Sequence, residues 1–521
     1  FANCGLPYYI GGEITERPAL TLQTPESFWA RFAVEVRVNT EVVSIDRAEK
    51  TVTALDAKTG ARTTERYDRL LLSPGAEPLR PPLPGIGLEG VFTLRNIPDT
   101  DRIKAFLEQK KPRRAVVVGG GMIGVEMAEN FVRAGLEVTI VERSDHLIAS
   151  LDFDSACDLH SYLLSKGVGL RLSSAVSAIG PGPEGLSVTL DCGAALDAGL
   201  VLLSAGVRPE TGLAKDAGLA HNARGCILVD EHLRTSDPDI YAVGDAIECV
   251  NWLSGTPDYI PLAGPANRQG RIAADNIAGL DSTYGGTQGS AVLKVFEMTV
   301  ACTGLTEQAA RARGIACDKV YTYSASHATY YPGAQNMAIK LLFELPGGRV
   351  LGAQLVGFEG VDKRCDVLAT AIRAKLTVYD LTRLELCYAP PFSSAKDPVN
   401  MLGFAAENIL TGKVKNFHWE QLDSLDPAAV TRLDVRTPEE FSSGSVEGFV
   451  NIPLDSLRQR AGELDRAKPI YVHCHSGLRS YVACRILTGL GFDCFNLSGG
   501  WRLYAALREG REFVKSSSCM G

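Results

Sequence analysis

The sequence predicts an α/β protein: Rossmann-like units come first, an α+β segment follows, and a small separate α/β unit closes the chain. Three observations predict it. An apolar β-branched run, Ala115 to Val118, passes through a glycine turn and a helical pattern into a second apolar run, Val138 to Val141. From about Ser290 the composition shifts to an α+β pattern. Beyond a linker, a fresh strand, loop and helix surround Ile470 to Ser480.

The chain opens with Asn3-Cys4-Gly5-Leu6-Pro7-Tyr8-Tyr9, a cysteine beside a Gly-x-Pro turn that by itself reads as a structural thiol. Leu70 to Ala76, LLLSPGA, reads as a buried strand running into a glycine turn. The Ala115 to Val118 strand ends in glycines at 119, 120, 121 and 124, which contain the pattern G-x-G-x-x-G. A helix follows from Ile123 to about Ala134, Gly135 ends it, and the next strand finishes at Glu142. Gly119, Gly121 and Gly124 permit a tight turn and let a pyrophosphate approach N–H groups at the helix N-terminus. Glu142 is placed to accept hydrogen bonds from a ribose 2′-hydroxyl, which suits NADH. Arg143 beside it suits the extra phosphate of NADPH, so the pattern admits both. Thr235 to Asp245, TSDPDIYAVGD, is another strand, ending in Gly244-Asp245. Pro261 to Ile277, PLAGPANRQGRIAADNI, is a glycine loop feeding a helix.

Composition narrows the function classes. A chain of 521 residues suggests about three or four domains. Its 45% hydrophobic and 22% charged residues are ordinary globular values. The net charge of −8 gives no reason to expect nucleic acid. No apolar run reaches membrane-spanning length and no signal peptide is visible. The 13 cysteines contain no C-x-x-C pair, so neither a metal site nor a dithiol redox motif is indicated. Scattered thiols fit a reducing cytoplasm. Most of them, such as Cys192, Cys226 and Cys302, read as small core residues.

These segments, at this spacing, resemble the flavoprotein disulfide reductases, in particular the single-cysteine branch of coenzyme A-disulfide and persulfide reductases with their NADH oxidase and peroxidase relatives. The resemblance covers residues 1 to about 412. It implies an FAD-binding domain over 1–110 and 236–290, interleaved with an NAD(P)-binding domain over 111–235. It implies a redox role for Cys4 against the flavin, and a hold on the ribityl chain by Asp245 after Gly244. The helix starting near Pro265 would aim its positive end at the flavin's C2 oxygen. Asn3 and Asn267 match substrate contacts. The family's opening strand, glycine turn and helix for the ADP half of FAD have no counterpart before Phe1. The expectation is that the sequence is a fragment, because losing a buried strand leaves its neighbours with unpaired backbone groups. As given, the chain is expected to bind FAD poorly, and stoichiometric flavin on purified protein would contradict this.

In the α+β segment, Ala291 to Thr299 and Ala338 to Phe343 read as strands, and Thr306 to Arg313 and Val361 to Ala374 as helices. The resemblance makes 291–412 the dimerisation domain of a homodimer. Leu386 to Asn400, LCYAPPFSSAKDPVN, is a proline-rich loop in which Tyr388 by itself reads as packing beneath Pro390 and Pro391. The resemblance instead sends Tyr388 across the dimer interface to the partner's cysteine and flavin, with Tyr330 similarly placed. It matches Lys396 to a coenzyme A phosphate contact.

Asn408 to Glu420 reads as a linker. In 420–521, a buried strand from Ile470 to His473 ends at Cys474, a short loop reaches Arg479, and a helix begins near Ser480. That arrangement puts Cys474 under loop N–H groups and a helix N-terminus, both of which lower a thiol pKa. The unit resembles a rhodanese domain, with Gly499-Gly500-Trp501 closing the pattern. Four residues separate Cys474 from Arg479, one fewer than in the phosphatase-type loop, and the smaller loop suits a sulfane sulfur. Asp434 and Arg436 read as braces, and Cys519 in the polar tail carries no signal.

The reading is an NAD(P)H- and FAD-dependent reductase of coenzyme A disulfide, persulfide or polysulfide working through one cysteine, with a sulfur-carrying domain. Its small-molecule partners are thiols, disulfides and persulfides, and coenzyme A serves as substrate and carrier. The alternatives are an NADH oxidase or peroxidase cycling Cys4 through a sulfenic acid, and a non-catalytic sulfur-binding fragment.

Overall fold

The computed structural model describes residues 1–517, so Cys519 lies outside the described residues. The chain divides into two compact units, Phe1–Arg143 with Gly167–Gly289, and Ser144–Lys166 with Ser290–Gly521.

The first unit is organised on a five-stranded parallel sheet ordered Val91–Phe92, Leu200–Leu203, Arg114–Val118, Glu137–Val141 and Gly169–Arg171. Ala115 to Val118 are all buried, as a strand covered on both faces requires. The helix Met122–Arg133 buries Val125, Met127, Ala128 and Phe131 against this sheet side of the unit. A three-stranded antiparallel meander, Thr40–Asp46, Thr51–Asp56 and Arg62–Arg66, belongs to the flanking region. There Leu70–Leu72 also pairs in parallel with Ile240–Ala242.

The second unit contains two sheets. The first is antiparallel, ordered Ala291–Val295, Met298–Gly304, Val350–Gly357, Asn336–Glu344 and Cys317–Ala325. The expected single strand Ala291 to Thr299 is a hairpin, because the chain turns at Phe296-Glu297 with Phe296 at φ 53°. Asn and Gly are the usual residues for that conformation, so a phenylalanine gives no turn signal. The second sheet is parallel, ordered Lys415–Phe417, Cys494–Leu497, Ile470–His473, Thr431–Asp434 and Val450–Asn451.

The expected linker Asn408 to Glu420 is folded. The helix Pro398–Leu410, capped by Asp397 with proline in its first turn, runs into it, and Lys415–Phe417 forms an edge strand of the parallel sheet. Burying Phe417 to 1% exposure stabilises that strand by about 1.5–3 kcal/mol.

Buried ions join the two parts of this unit. Lys319 Nζ lies 2.8 Å from Glu307 Oε2 and 2.5 Å from Glu420 Oε1. Lys340 Nζ meets Asp152 at 2.9 Å, Asp154 at 2.8 Å and Glu307 at 2.9 Å. Burial opposes the Lys340 charge, but Asp154, Asp152 and Glu307 outweigh it and raise its pKa. His418 Nε2 lies 2.8 Å from Asp318, and Arg511 covers the Trp419 ring. Leu503 and Leu507 pack on Cys157 of the helix Phe153–Ser165.

Candidate functional site

The glycine turn shows why each glycine is needed. Gly119 adopts φ 110°, and a Cβ there would lie 2.4 Å from Ser204 O. A Cβ on Gly124 would lie 2.0 Å from Gly119 O, whereas one on Gly121 would meet nothing within 4 Å. Gly121 therefore faces open space in front of the helix N-terminus, with room for an anionic group such as a pyrophosphate. Glu142 Oε2 accepts a hydrogen bond from Gly120 N–H at 2.7 Å, which fixes the carboxylate beside that space. Arg143 is exposed. These facts separate two variants. Gly121→Ala is expected to unfold within about 2 °C of the parent while raising the KM for NAD(P)H tenfold or more. Gly124→Ala should cost about 1–3 kcal/mol of stability through overpacking. Thermal melts and steady-state kinetics on both proteins test the pair.

Cys4 lies in the exposed helical turn Asn3–Gly5, ahead of the helix Leu6–Ile10. Leu6, Tyr9 and Leu20 anchor this segment in a small core of their own. The segment also packs on the helix Met122–Arg133 so closely that a Cβ on Gly11 would lie 2.1 Å from Asn130 Oδ1. Tyr8 donates its hydroxyl to Glu126 Oε1 at 3.3 Å. Burial, aided by Glu129, pushes the Glu126 carboxyl up to about 7, against the pull of Tyr8. Sequence reasoning missed Glu126, whose only signal was its place one turn into the glycine-capped helix.

Gly244 and Asp245 occupy a short turn in which Gly244 N–H donates to Gln269 Oε1 at 2.7 Å. Gln269 is buried on the helix Ala263–Ile277, so the turn and the helix are locked together. Burial raises the Asp245 carboxyl while Arg95 opposes it. Pro265 sits in the first turn of that helix, and Asn267 is exposed with its Nδ2 donating to Ala263 O at 2.9 Å. No heavy atom would lie within 4 Å of a Cβ on Gly264, so this helix start also has room for a ligand.

In the second unit, the Tyr330 and Tyr388 hydroxyls lie 2.9 Å apart, and the rings are 74% and 49% exposed. The hydrogen bond shared with Tyr388 raises the pKa of Tyr330. Tyr388 is thus not packed away beneath its prolines. Arg364, missed in the sequence, clamps the two loops. Its Nη2 donates to Ser326 O at 2.9 Å, to Ser393 Oγ at 3.1 Å and to Asp397 Oδ2 at 2.9 Å. Lys396 is exposed on the same loop. Arg364→Met leaves Asp397 buried without its cation and is expected to cost about 3–5 kcal/mol, read as a fall in denaturation midpoint.

Cys474 is buried where the strand Ile470–His473 ends. Its Sγ accepts hydrogen bonds from Gly477 N–H at 3.1 Å and Ser480 Oγ at 3.3 Å. The helix begins at Leu478, two residues before the expected start. Arg479 is held by Glu440 through contacts of 2.7 and 2.6 Å. Gly500 adopts φ 60°, and a Cβ there would lie 2.6 Å from Cys474 O, which explains the double glycine. Asp434 and Arg436 brace the loop base, both buried and 2.7 Å apart. Among the other cysteines, Cys226 and Cys302 are buried as expected, but Cys192 is exposed after the strand Gly185–Leu190.

Burial lowers the pKa of His473 to about 4 from 6.5, against Asp434. The unfolded chain then binds the extra proton between those values, so stability is full above pH 6.5 and falls as pH drops towards 4. From this group alone the loss between pH 7 and pH 5 is about 2 kcal/mol, measurable by denaturant unfolding followed through Trp419 and Trp501 fluorescence.

Comparisons with known proteins give three family matches along the chain. The family model described as pyridine nucleotide-disulphide oxidoreductase matches residues 2–270. Its dimerisation domain matches residues 290–398, and the rhodanese-like domain matches residues 419–507. The coenzyme A disulfide reductase of Staphylococcus haemolyticus is 33% identical over 410 residues, 78% of this chain and 91% of that protein. The crystal structure of reduced Bacillus anthracis CoADR-RHD has a TM-score of 0.96 at 48% identity, covering 98% of this chain and 92% of that one. The NAD-dependent persulfide reductase from A. fulgidus has a TM-score of 0.89 at 36% identity, covering 96% and 93%. Among the described residues, no helix is long and apolar enough to cross a membrane.

Proposed function

Because the chain belongs to the pyridine nucleotide-disulphide oxidoreductase family, we propose that it is an NAD(P)H- and FAD-dependent reductase of coenzyme A disulfide, persulfide or polysulfide, served by its own rhodanese domain in a reducing cytoplasm. The observation that carries this reading is the pairing of two differently prepared thiols in one chain. Cys4 is exposed and fixed against the glycine-capped helix, while Cys474 is buried with two donors on its sulfur.

Bound flavin supplies the passage of two electrons from NAD(P)H to a disulfide. Gly119, Gly121, Gly124 and Glu142 would hold the nicotinamide dinucleotide, and Gly244, Asp245 and the helix around Pro265 the flavin. Cys4 thiolate attacks one sulfur of coenzyme A disulfide, expelling a coenzyme A thiolate and leaving a Cys4–coenzyme A mixed disulfide. With coenzyme A persulfide, attack on the thiol-bearing sulfur expels hydrosulfide and leaves the same mixed disulfide. Asn3, Asn267 and Lys396 would orient coenzyme A. In a homodimer the Tyr330–Tyr388 pair would serve the second copy, with one phenol donating a proton to the leaving thiolate and the other holding it in place. Arg143, exposed beside Glu142, leaves NADPH as a second electron donor.

The test is NADH oxidation by flavin-loaded enzyme, run anaerobically and in air, with products quantified. Sulfide or free coenzyme A in step with NADH supports the reductase. Oxygen-dependent turnover to water with neither product would replace it by the NADH oxidase.

A further inference from the structure

We propose that Glu440 determines which sulfur donors Cys474 accepts, favouring thiol-borne persulfides over oxyanion donors such as thiosulfate. The inference rests on the reading of Cys474 as the sulfur carrier and concerns what selects its donor.

Arg479 follows the Cys474 loop on the first turn of the helix Leu478–Gly489, close enough for the two groups to interact electrostatically. An arginine at that place would attract a doubly charged donor. Here its guanidinium is spent on Glu440, with Nη1 at 2.7 Å from Oε2 and Nη2 at 2.6 Å from Oε1. The carboxylate is itself fixed, since Oε2 also accepts the Thr437 N–H at 3.0 Å. Arg479 holds the Glu440 carboxyl down to about 2, so the pair stays ionised at neutral pH. About a third of each side chain is exposed, 34% and 33%, which leaves the pair facing solvent rather than sealed in the core.

Of the neighbouring arginines, Arg436 is neutralised by a carboxylate, whereas Arg502 meets a ring and keeps its charge. Arg436 is buried against Asp434 at 2.7 Å, and Arg502 lies over the Tyr323 ring at 4.3 Å. What Sγ of Cys474 receives are neutral donors, Gly477 N–H and the Ser480 hydroxyl. Neutral donors suffice for a persulfide carrying one negative charge. They do little to hold the sulfonate end of thiosulfate, which needs a cation with charge to spare.

Both donors use the same balanced exchange. Cys474 thiolate attacks the outer sulfur, a new S–S bond forms on Cys474, and the old S–S bond breaks with its electron pair on the leaving group. A thiol-borne persulfide releases a thiolate, and thiosulfate releases sulfite. Only the leaving group's charge distinguishes them, and the Glu440–Arg479 pair acts on that difference.

The experiment uses the full chain and measures the second-order rate of Cys474 persulfide formation, by rapid quench and peptide mass, with thiosulfate and with the persulfide of a small uncharged thiol, 2-mercaptoethanol. Glu440→Gln keeps the Thr437 contact and the side-chain size but frees the Arg479 charge. The rate ratio, thiosulfate over persulfide, should rise about tenfold at low salt, the order expected for a dianion meeting one uncancelled cation in a solvated site. The gain should shrink at high ionic strength. In Glu440→Gln/Arg479→Gln the ratio should return to the parent value. A ratio that stays within twofold in Glu440→Gln, or falls, overturns the proposal. If Glu440→Gln does not fold, Arg479→Gln alone decides: leaving the Glu440 charge bare must lower the ratio. Cys474→Ser runs beside each variant. Sulfur transfer that survives it refutes the carrier reading itself, whereas an unchanged ratio with Cys474-dependent transfer refutes only the role of Glu440.

Discussion

Cys4→Ser in flavin-loaded enzyme is expected to lower turnover of coenzyme A disulfide and coenzyme A persulfide by about a thousandfold or more, while NAD(P)H still bleaches the flavin at close to the parent rate. The size of the effect follows from the chemistry, since a hydroxyl at this position is neither ionised nor able to form a mixed disulfide. Flavin bleaching survives because the groups that would receive NAD(P)H, from Gly119 to Glu142, make no use of the thiol. The substitution is mild structurally. Cys4 is exposed, and the segment is held by Leu6, Tyr9 and Leu20 instead. Stopped-flow absorbance separates the two half-reactions. Disulfide turnover retained in the mutant would move the chemistry to another thiol.

Cys474→Ser should remove thiosulfate- or polysulfide-dependent NADH oxidation while leaving reduction of preformed coenzyme A persulfide nearly at the parent rate. A persulfide built on Cys474 lies under Gly477 N–H and Ser480, and a thiol must empty it. On the proposed function coenzyme A is the thiol that the reductase half accepts, so it would collect sulfur at Cys474 and deliver it to Cys4. NADH consumption with each substrate distinguishes the outcomes. Equal loss of both activities means that the two domains depend on each other structurally and that the relay is wrong. Loss of neither makes the rhodanese domain a passenger.

The glycine turn and the Cys474 loop were legible because their parts are local. Strand, turn and helix follow one another within some dozen residues, and spacing alone reports the geometry. Elements that depend on distant partners were not. Arg364 looks like any helical arginine until Ser326, Ser393 and Asp397 converge on it. Glu440 lies 39 positions from Arg479, and Tyr8 lies 118 positions from Glu126. The hairpin at Phe296 was hidden for another reason, because tertiary packing imposed a conformation that the residue type does not advertise. The supposed linker misled because a three-residue edge strand is too short to show any periodicity.

The buried ions around Lys319 and Lys340 also bear on sulfur traffic. Glu420, at the entrance to the rhodanese domain, is tied through Lys319 and Glu307 to Lys340 in the antiparallel sheet, and Leu503 and Leu507 pack on Cys157, so separating the two would take one carboxylate from buried Lys319 and uncover apolar surface. A joint of that kind does not swing, so the domain is no lipoyl-style arm ferrying its cargo on a tether. Sulfur would leave it as a solute. Throughput should then depend on the concentration of free coenzyme A, saturate with it, and be diverted by any abundant thiol that reaches Cys474 first. An enzyme organised this way takes its rate from the thiol pool around it.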